Sequence, residues 1–120
     1  MCKNKVLEEL RFIGINLNIA FPSAYKRFLS EEVQDADVYK IRDKQDNSVF
    51  IFNFMSVAER NEIYTVQDVE PDYFLIGQDG GLGYFINLKN KSDKIYSLDL
   101  GALGSLDMDE EAKDLYELRA

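Results

Sequence analysis

Residues 74–88 read FLIGQDGGLGYFINL, with glycines at 77, 80, 81 and 83. A phosphate-binding loop is the first chemistry such a cluster raises. A dinucleotide fingerprint needs G-x-G-x-x-G between a strand and a helix, so that the helix dipole meets the pyrophosphate. Here the pattern is G-x-x-G-G-x-G, and the LGYFINL that follows reads as strand. A P-loop needs Gly-Lys-Ser/Thr after its spacer, and no such tripeptide follows. The stretch fits a tight hairpin better. Asp79-Gly80 and Gly80-Gly81 supply positive-φ positions, and Gly83 inside the next strand permits a bulge or the close approach of another backbone. Asp79, Gly80, Gly81 and Gly83 are therefore read as a structural turn. A ligand loop and a turn that also touches a protein partner stay open beside that reading.

The remaining side chains offer little conventional catalysis. The chain has no histidine, which removes Ser-His-Asp and Cys-His chemistry and the commonest zinc ligand. Its one cysteine, Cys2, sits at a terminus and has no partner for an internal disulfide. Carboxylates are plentiful enough for paired acid–base hydrolysis, but plenty is not placement, and the sequence does not show Asp79 converging with Asp72 or Asp99 with Asp107. DMDEEAKD (107–114) lacks the alternating oxygen ligands and central glycine of a calcium loop. The expectation is no catalytic residue, no cofactor and no metal.

Charge is more informative. Of the net −8, none comes from residues 1–60, with nine acidic and nine basic side chains; residues 61–120 carry 13 acidic and five basic. An acidic half repels a phosphate backbone and argues against nucleic acid as a partner. It attracts a basic protein and speeds their encounter. No run approaches the roughly 20 apolar residues that span a bilayer, and Glu8 and Glu9 interrupt the N-terminus where a signal peptide is apolar. A cytoplasmic protein without membrane contact is expected. At 120 residues and 46% apolar composition the chain suits one domain, 1–120, with a core rich in Phe and Tyr and free of Trp.

These residues need positioning elements. VLEELRFIGINL spaces Val6, Leu7, Leu10 and Ile13 for a helix over 3–13, with Gly14 as its stop. Pro22 suits the first turn of a second helix over 22–32, with Tyr25, Phe28 and Leu29 on its apolar face. DVYKIRD (37–43) and SVFIFNFM (48–55) read as strands joined through DKQDN. Ser56 and Glu59 have capping-box spacing, which favours a helix from 57 to about 62, although IYTV also reads as strand. After the glycine hairpin come a KNKSD turn, a KIYSLDL strand and a GALGS loop. DMDEEAKDLYEL then reads as a closing helix. Asp107 or Asp109 would cap it, Glu110 and Glu111 would fill its first turn, and Leu115 and Leu118 would face the core.

Taken in order, three segments give the chain a family likeness. FPSAYKRFL (21–29) is similar to a Leu-Pro-x-x-Tyr-Lys-x-Phe-Leu helix opening. DYFLIGQDGGLGYFINL (72–88) resembles a central strand ending in Asp-Gly-Gly-x-Gly. KIYSLDL (94–100) is similar to a next strand ending in an acidic residue, here Asp99. The pattern resembles the SUKH superfamily, which includes Smi/Knr-like yeast cell-wall regulators and bacterial immunity proteins. The likeness runs from about Val6 to Leu118. It implies an α+β fold, a curved and mainly antiparallel sheet of about five or six strands with helices packed against it. It also implies a non-catalytic protein that neutralises a cognate toxin with a basic surface by direct binding, as a monomer or weak homo-oligomer. The alternative is a regulatory scaffold docking onto cellular proteins. For the partner surface, the acidic residues Asp99, Asp107, Asp109, Glu110, Glu111 and Asp114 are the candidates.

Overall fold

The apolar runs either side of Gly80-Gly81 pair as the two central strands, and the rest of the chain assembles around them. The structure is a computed structural model that describes residues 2–89 and 92–119. Six antiparallel strands form one sheet in sequence order: β1 (Lys40–Arg42), β2 (Ser48–Ile51), β3 (Tyr73–Asp79), β4 (Leu82–Asn87), β5 (Ile95–Asp99) and β6 (Asp109–Ala112). The helices are α1 (Lys3–Leu17), α2 (Ser23–Phe28), α3 (Val57–Ile63), α4 (Val66–Val69) and α5 (Leu115–Leu118). The sheet curls into a half-barrel with these helices packed on it, an α+β fold. Residues 90 and 91 of the expected KNKSD turn lie outside the described residues.

The first helix outruns its expected stop. Val6, Leu10 and Gly14 are buried at successive four-residue steps, and the helix continues to Leu17. Asn18 ends it in the left-handed region, at φ 57°, a conformation that asparagine tolerates well. Gly14 serves a different need: a Cβ there would lie 2.8 Å from the Ile19 carbonyl oxygen. Pro22 precedes α2 as its cap residue, and the Asp93 carboxylate accepts from the Ala24 N–H at 2.8 Å, a cap supplied from 69 residues away. Past Phe28 the helix widens into a π turn over Leu29–Val33, closed by Gln34 N–H donating to the Leu29 carbonyl at 2.7 Å.

β1 and β2 are shorter than their sequence signals. Asn53 truncates β2. Its Oδ1 accepts from the N–H groups of Met55 and Ser56, both at 2.9 Å, and its Nδ2 donates to the Ala36 carbonyl. Asn53 thus starts α3, whereas Ser56, expected to cap that helix, makes no side-chain capping bond. The ambiguous 57–70 segment is helical, broken at Thr65 with φ 49°. Buried Asn61 ties α3 to β3: it accepts from Leu75 N–H at 2.7 Å and donates to the Leu75 carbonyl at 2.8 Å. Those bonds replace ladder partners next to the irregularity between Leu75 and Gly77.

The central hairpin is a two-residue turn, with Asp79 opposite Leu82. Only Gly80 of the pair has positive φ, at 57°, the pattern of a turn that needs glycine at its first central position. The irregularity falls at Ile76, next to Gly77, and not at Gly83. A Cβ on Gly77 would sit 2.5 Å from the Phe50 carbonyl oxygen. At Gly83 it would meet the side chains of Leu100 and Phe85, so that glycine clears side chains and not a backbone.

The largest departure is at the C-terminal end. The acidic run expected to open a helix is instead the edge strand β6, paired with β5 through Ile95–Ala112, Tyr96–Glu110 and Ser97–Asp109. The open edge of β5 offers a row of backbone groups, and pairing with it brings Ala112 into the core. Only one turn of helix remains, α5, and its cap is Asp114, whose carboxylate accepts from Glu117 N–H at 2.8 Å. Leu115 and Leu118 do face the core. Tyr116 packs edge-on to Phe28 at 5.0 Å between centroids, under the guanidinium groups of Arg27 and Arg119. An antiparallel bridge between Asp43 and Arg119 then joins the chain beyond α5 to the end of β1. The two edges of the sheet are drawn together by that crossing.

Candidate functional site

The strand register gathers carboxylates at the hairpin end of the sheet. Leu82 lies opposite Asp79 on one side and Asp99 on the other, so both acids share its face. Asp109 lies opposite Ser97 on β6. The register shift between Ile95 and Tyr96 leaves Glu111 as the extra residue of β6, and its carboxylate accepts from Ser97 Oγ at 2.7 Å. Asp43 closes the group from the end of β1, and a small cavity of about 160 Å3 lies between Asp43, Lys44, Gln45, Glu111, Glu117 and Leu118.

Asp43 is held rigidly. Its carboxylate accepts from Gln45 N–H at 3.0 Å, Asn47 N–H at 2.8 Å and Asn47 Nδ2 at 3.0 Å. Burial alone would raise its pKa, but these three bonds outweigh that and hold the group below the ordinary carboxylate value. Tyr84, on the strand between, is fully buried. Burial first, then the charges of Asp43, Glu111 and Asp79, push its phenol up to about 12. The phenol is therefore a neutral group near three carboxylates at neutral pH.

The six acidic residues singled out in the sequence separate into two sets. Asp99, Asp109 and Glu111 sit at this end, and exposed Asp107 precedes β6 by two residues. Asp99 also accepts from Gly101 N–H at 2.8 Å, which fixes its side chain. Glu110 pairs with Tyr96 on β5 and forms an ion pair with Lys94 at 3.1 Å, and Asp114 is occupied as the α5 cap. The sequence reading missed Asp43, Tyr84 and Glu117 as members of the cluster. Asp43 carried only a turn signal, in DKQDN, and its place beside β6 follows from the curl of the sheet. Asp79 keeps its turn position and adds its charge to the same end.

No family model matches the chain, and no curated protein matches it. The chemistry of the site must speak for itself. Among the described residues no group of three or more His, Cys, Asp or Glu is arranged to hold a metal ion. Among them, too, no helix is long and apolar enough to cross a membrane. What the arrangement offers is concentrated negative potential on a fixed frame, beside exposed Leu106 on the loop that leads into β6.

Proposed function

We propose that this chain is a binding protein that engages a basic protein surface through the acidic end of its sheet. The observation that carries the reading is the convergence of Asp43, Asp79, Asp99, Asp109 and Glu111 at one end of one sheet, within a chain whose whole net charge lies in its second half. Charge placed on hydrogen-bonded strands needs no reorganisation when a partner arrives, so it steers encounter and selects against acidic competitors. Leu106, 65% exposed and adjacent to Asp107, supplies the apolar contact that carries affinity where rim charges do not. The SUKH-like order of motifs makes a cognate toxin with a basic cleft the partner, neutralised by occlusion.

Co-expression with a toxin encoded beside this chain tests the proposal. Growth should be rescued, a complex should co-purify, and Asp107→Lys with Asp109→Lys should abolish the rescue while leaving the fold intact by circular dichroism. A complex that forms without rescue would point to a regulatory docking role. Rescue and binding that survive the double reversal would remove the acidic end from the interface.

A further inference from the structure

A second concavity lies away from the acidic end. It is an open trough of about 1060 Å3 beside α1, floored by Leu7, Leu10, Ile15, Ile19, Phe21 and Leu88. Its charged lining is Arg11, Lys26 and Lys89 against a single carboxylate, Asp72. A net positive wall is unexpected in a chain of net charge −8. None of the three cations forms an ion pair among the described residues, a state they share with Arg27, Lys40, Lys44, Arg60 and Lys113, so it is their grouping around one apolar surface that sets them apart. From Ile15 at its rim, the apolar surface continues outside the trough to Phe12. Ile15 is 63% exposed and Phe12, one turn back along α1, is 53% exposed. Residues three apart on a helix are surface neighbours, so the two extend the apolar floor onto the outer face of α1.

We propose that this trough docks a segment of a partner polypeptide that carries apolar side chains flanked by carboxylates. The apolar floor and the exposed strip take the side chains, and Arg11, Lys26 and Lys89 take the carboxylates. A polypeptide fits better than a hydrocarbon chain. The lining also includes the Asn18 amide and the Asp72 carboxylate, which can pair with peptide N–H and C=O groups and would be desolvated without partners under a lipid tail. An exposed apolar patch rimmed by polar residues is a common mark of a protein interaction site. The surface differs from the acidic end in sign and position, so this inference stands whether or not the toxin reading does.

Random 12-residue peptides displayed on phage, selected against the intact chain, test it. Enriched peptides should carry apolar residues with Asp or Glu beside them. As fluorescein-labelled synthetic peptides they should lose affinity about tenfold or more, roughly 1.4 kcal/mol, on Ile15→Glu, and separately on Arg11→Glu. Both positions are exposed, so both variants should fold, as urea denaturation would show. Enrichment of basic or uncharged peptides, binding unchanged by either variant, or no enrichment at all would overturn the proposal. Two further arms identify other occupants. Sedimentation of laurate-loaded chain or of phosphatidylglycerol vesicles, lost on Ile15→Glu with no peptide enriched, would assign the trough to lipid and overturn it. A chain dimer abolished by Ile15→Glu would assign the trough to a second copy, with the same consequence.

Discussion

At the hairpin end of the sheet, carboxylates are fixed by strands and by hydrogen bonds; in the trough beside α1, cations line an apolar surface and form no ion pair among the described residues. Asp43 accepts three bonds, Glu111 accepts from Ser97 and Asp99 from Gly101. Among the described residues, no ion pair restrains Arg11, Lys26 or Lys89 in the same way. A preorganised charge cluster favours fast, selective encounter, because little entropy is lost when it is used. Charges on long side chains around an apolar floor favour adaptable contact, in which burial supplies the affinity and the charges set preference. The two regions also differ in what holds them: the acidic end depends on long-range strand pairing, the trough largely on one helix and the loops beside it.

The strongest way to break this contrast is to reverse charge at the acidic end. Asp107→Lys with Asp109→Lys should slow association with a basic partner about ten- to a hundredfold at low salt, with the difference shrinking as salt rises. Biosensor on-rates across a sodium chloride series would show it, and peptides held in the trough should be unaffected. Equal slowing at high salt would mean that steering is not the mechanism.

Next in size is the loss of the Asp43 frame. Asp43→Ala leaves two backbone N–H groups and the Asn47 amide without their acceptor, and should cost about 2 kcal/mol in urea denaturation. Arg11→Ala in the trough should stay within about 0.5 kcal/mol. Similar costs at both places would erase the distinction between a fixed and a loose site.

Acid and base sharpen it further. Asp43 has a folded-state pKa below its ordinary value, so its share of stability is complete above that value and is lost as pH falls through the folded pKa. An Asp43→Asn variant should therefore show a flatter urea midpoint below about pH 4 than the parent chain. Tyr84 behaves in the opposite sense. Its pKa is raised to about 12, so its contribution is whole below the ordinary tyrosine value near 10 and declines as pH rises toward 12. Absorbance of tyrosinate should show late-titrating phenols, buried Tyr25 also being raised, and Tyr84→Phe should remove one of them. The smallest effect is Ile15→Glu, which should shift stability by less than about 0.5 kcal/mol, since the residue is 63% exposed.

Much of the frame was legible before the coordinates. The central hairpin, the apolar faces of the first two helices and the strand at 95–99 follow from glycine placement and periodicity, which act over a few residues. Boundaries were less legible where one side chain decided them: Asn53 ended β2 and began α3, and Asn18, not Gly14, ended α1. The acidic run was misread because its local pattern does suit a helix start. Alternation and helical spacing cannot be told apart in so short a stretch, and the free edge of β5 settled the matter.

By itself the sequence determined the α+β class, the position of the turn at Gly80-Gly81, the absence of histidine chemistry and the placing of all net charge in the second half. Those are properties of residue type and near neighbours. Only the tertiary structure decided that Asp43, from the balanced first half, would join Asp79, Asp99, Asp109 and Glu111, and that a cationic trough would open along α1. Both depend on contacts between residues tens of positions apart, and loop closure at that range is governed by the curl of the sheet and by core packing, which no short window of sequence contains.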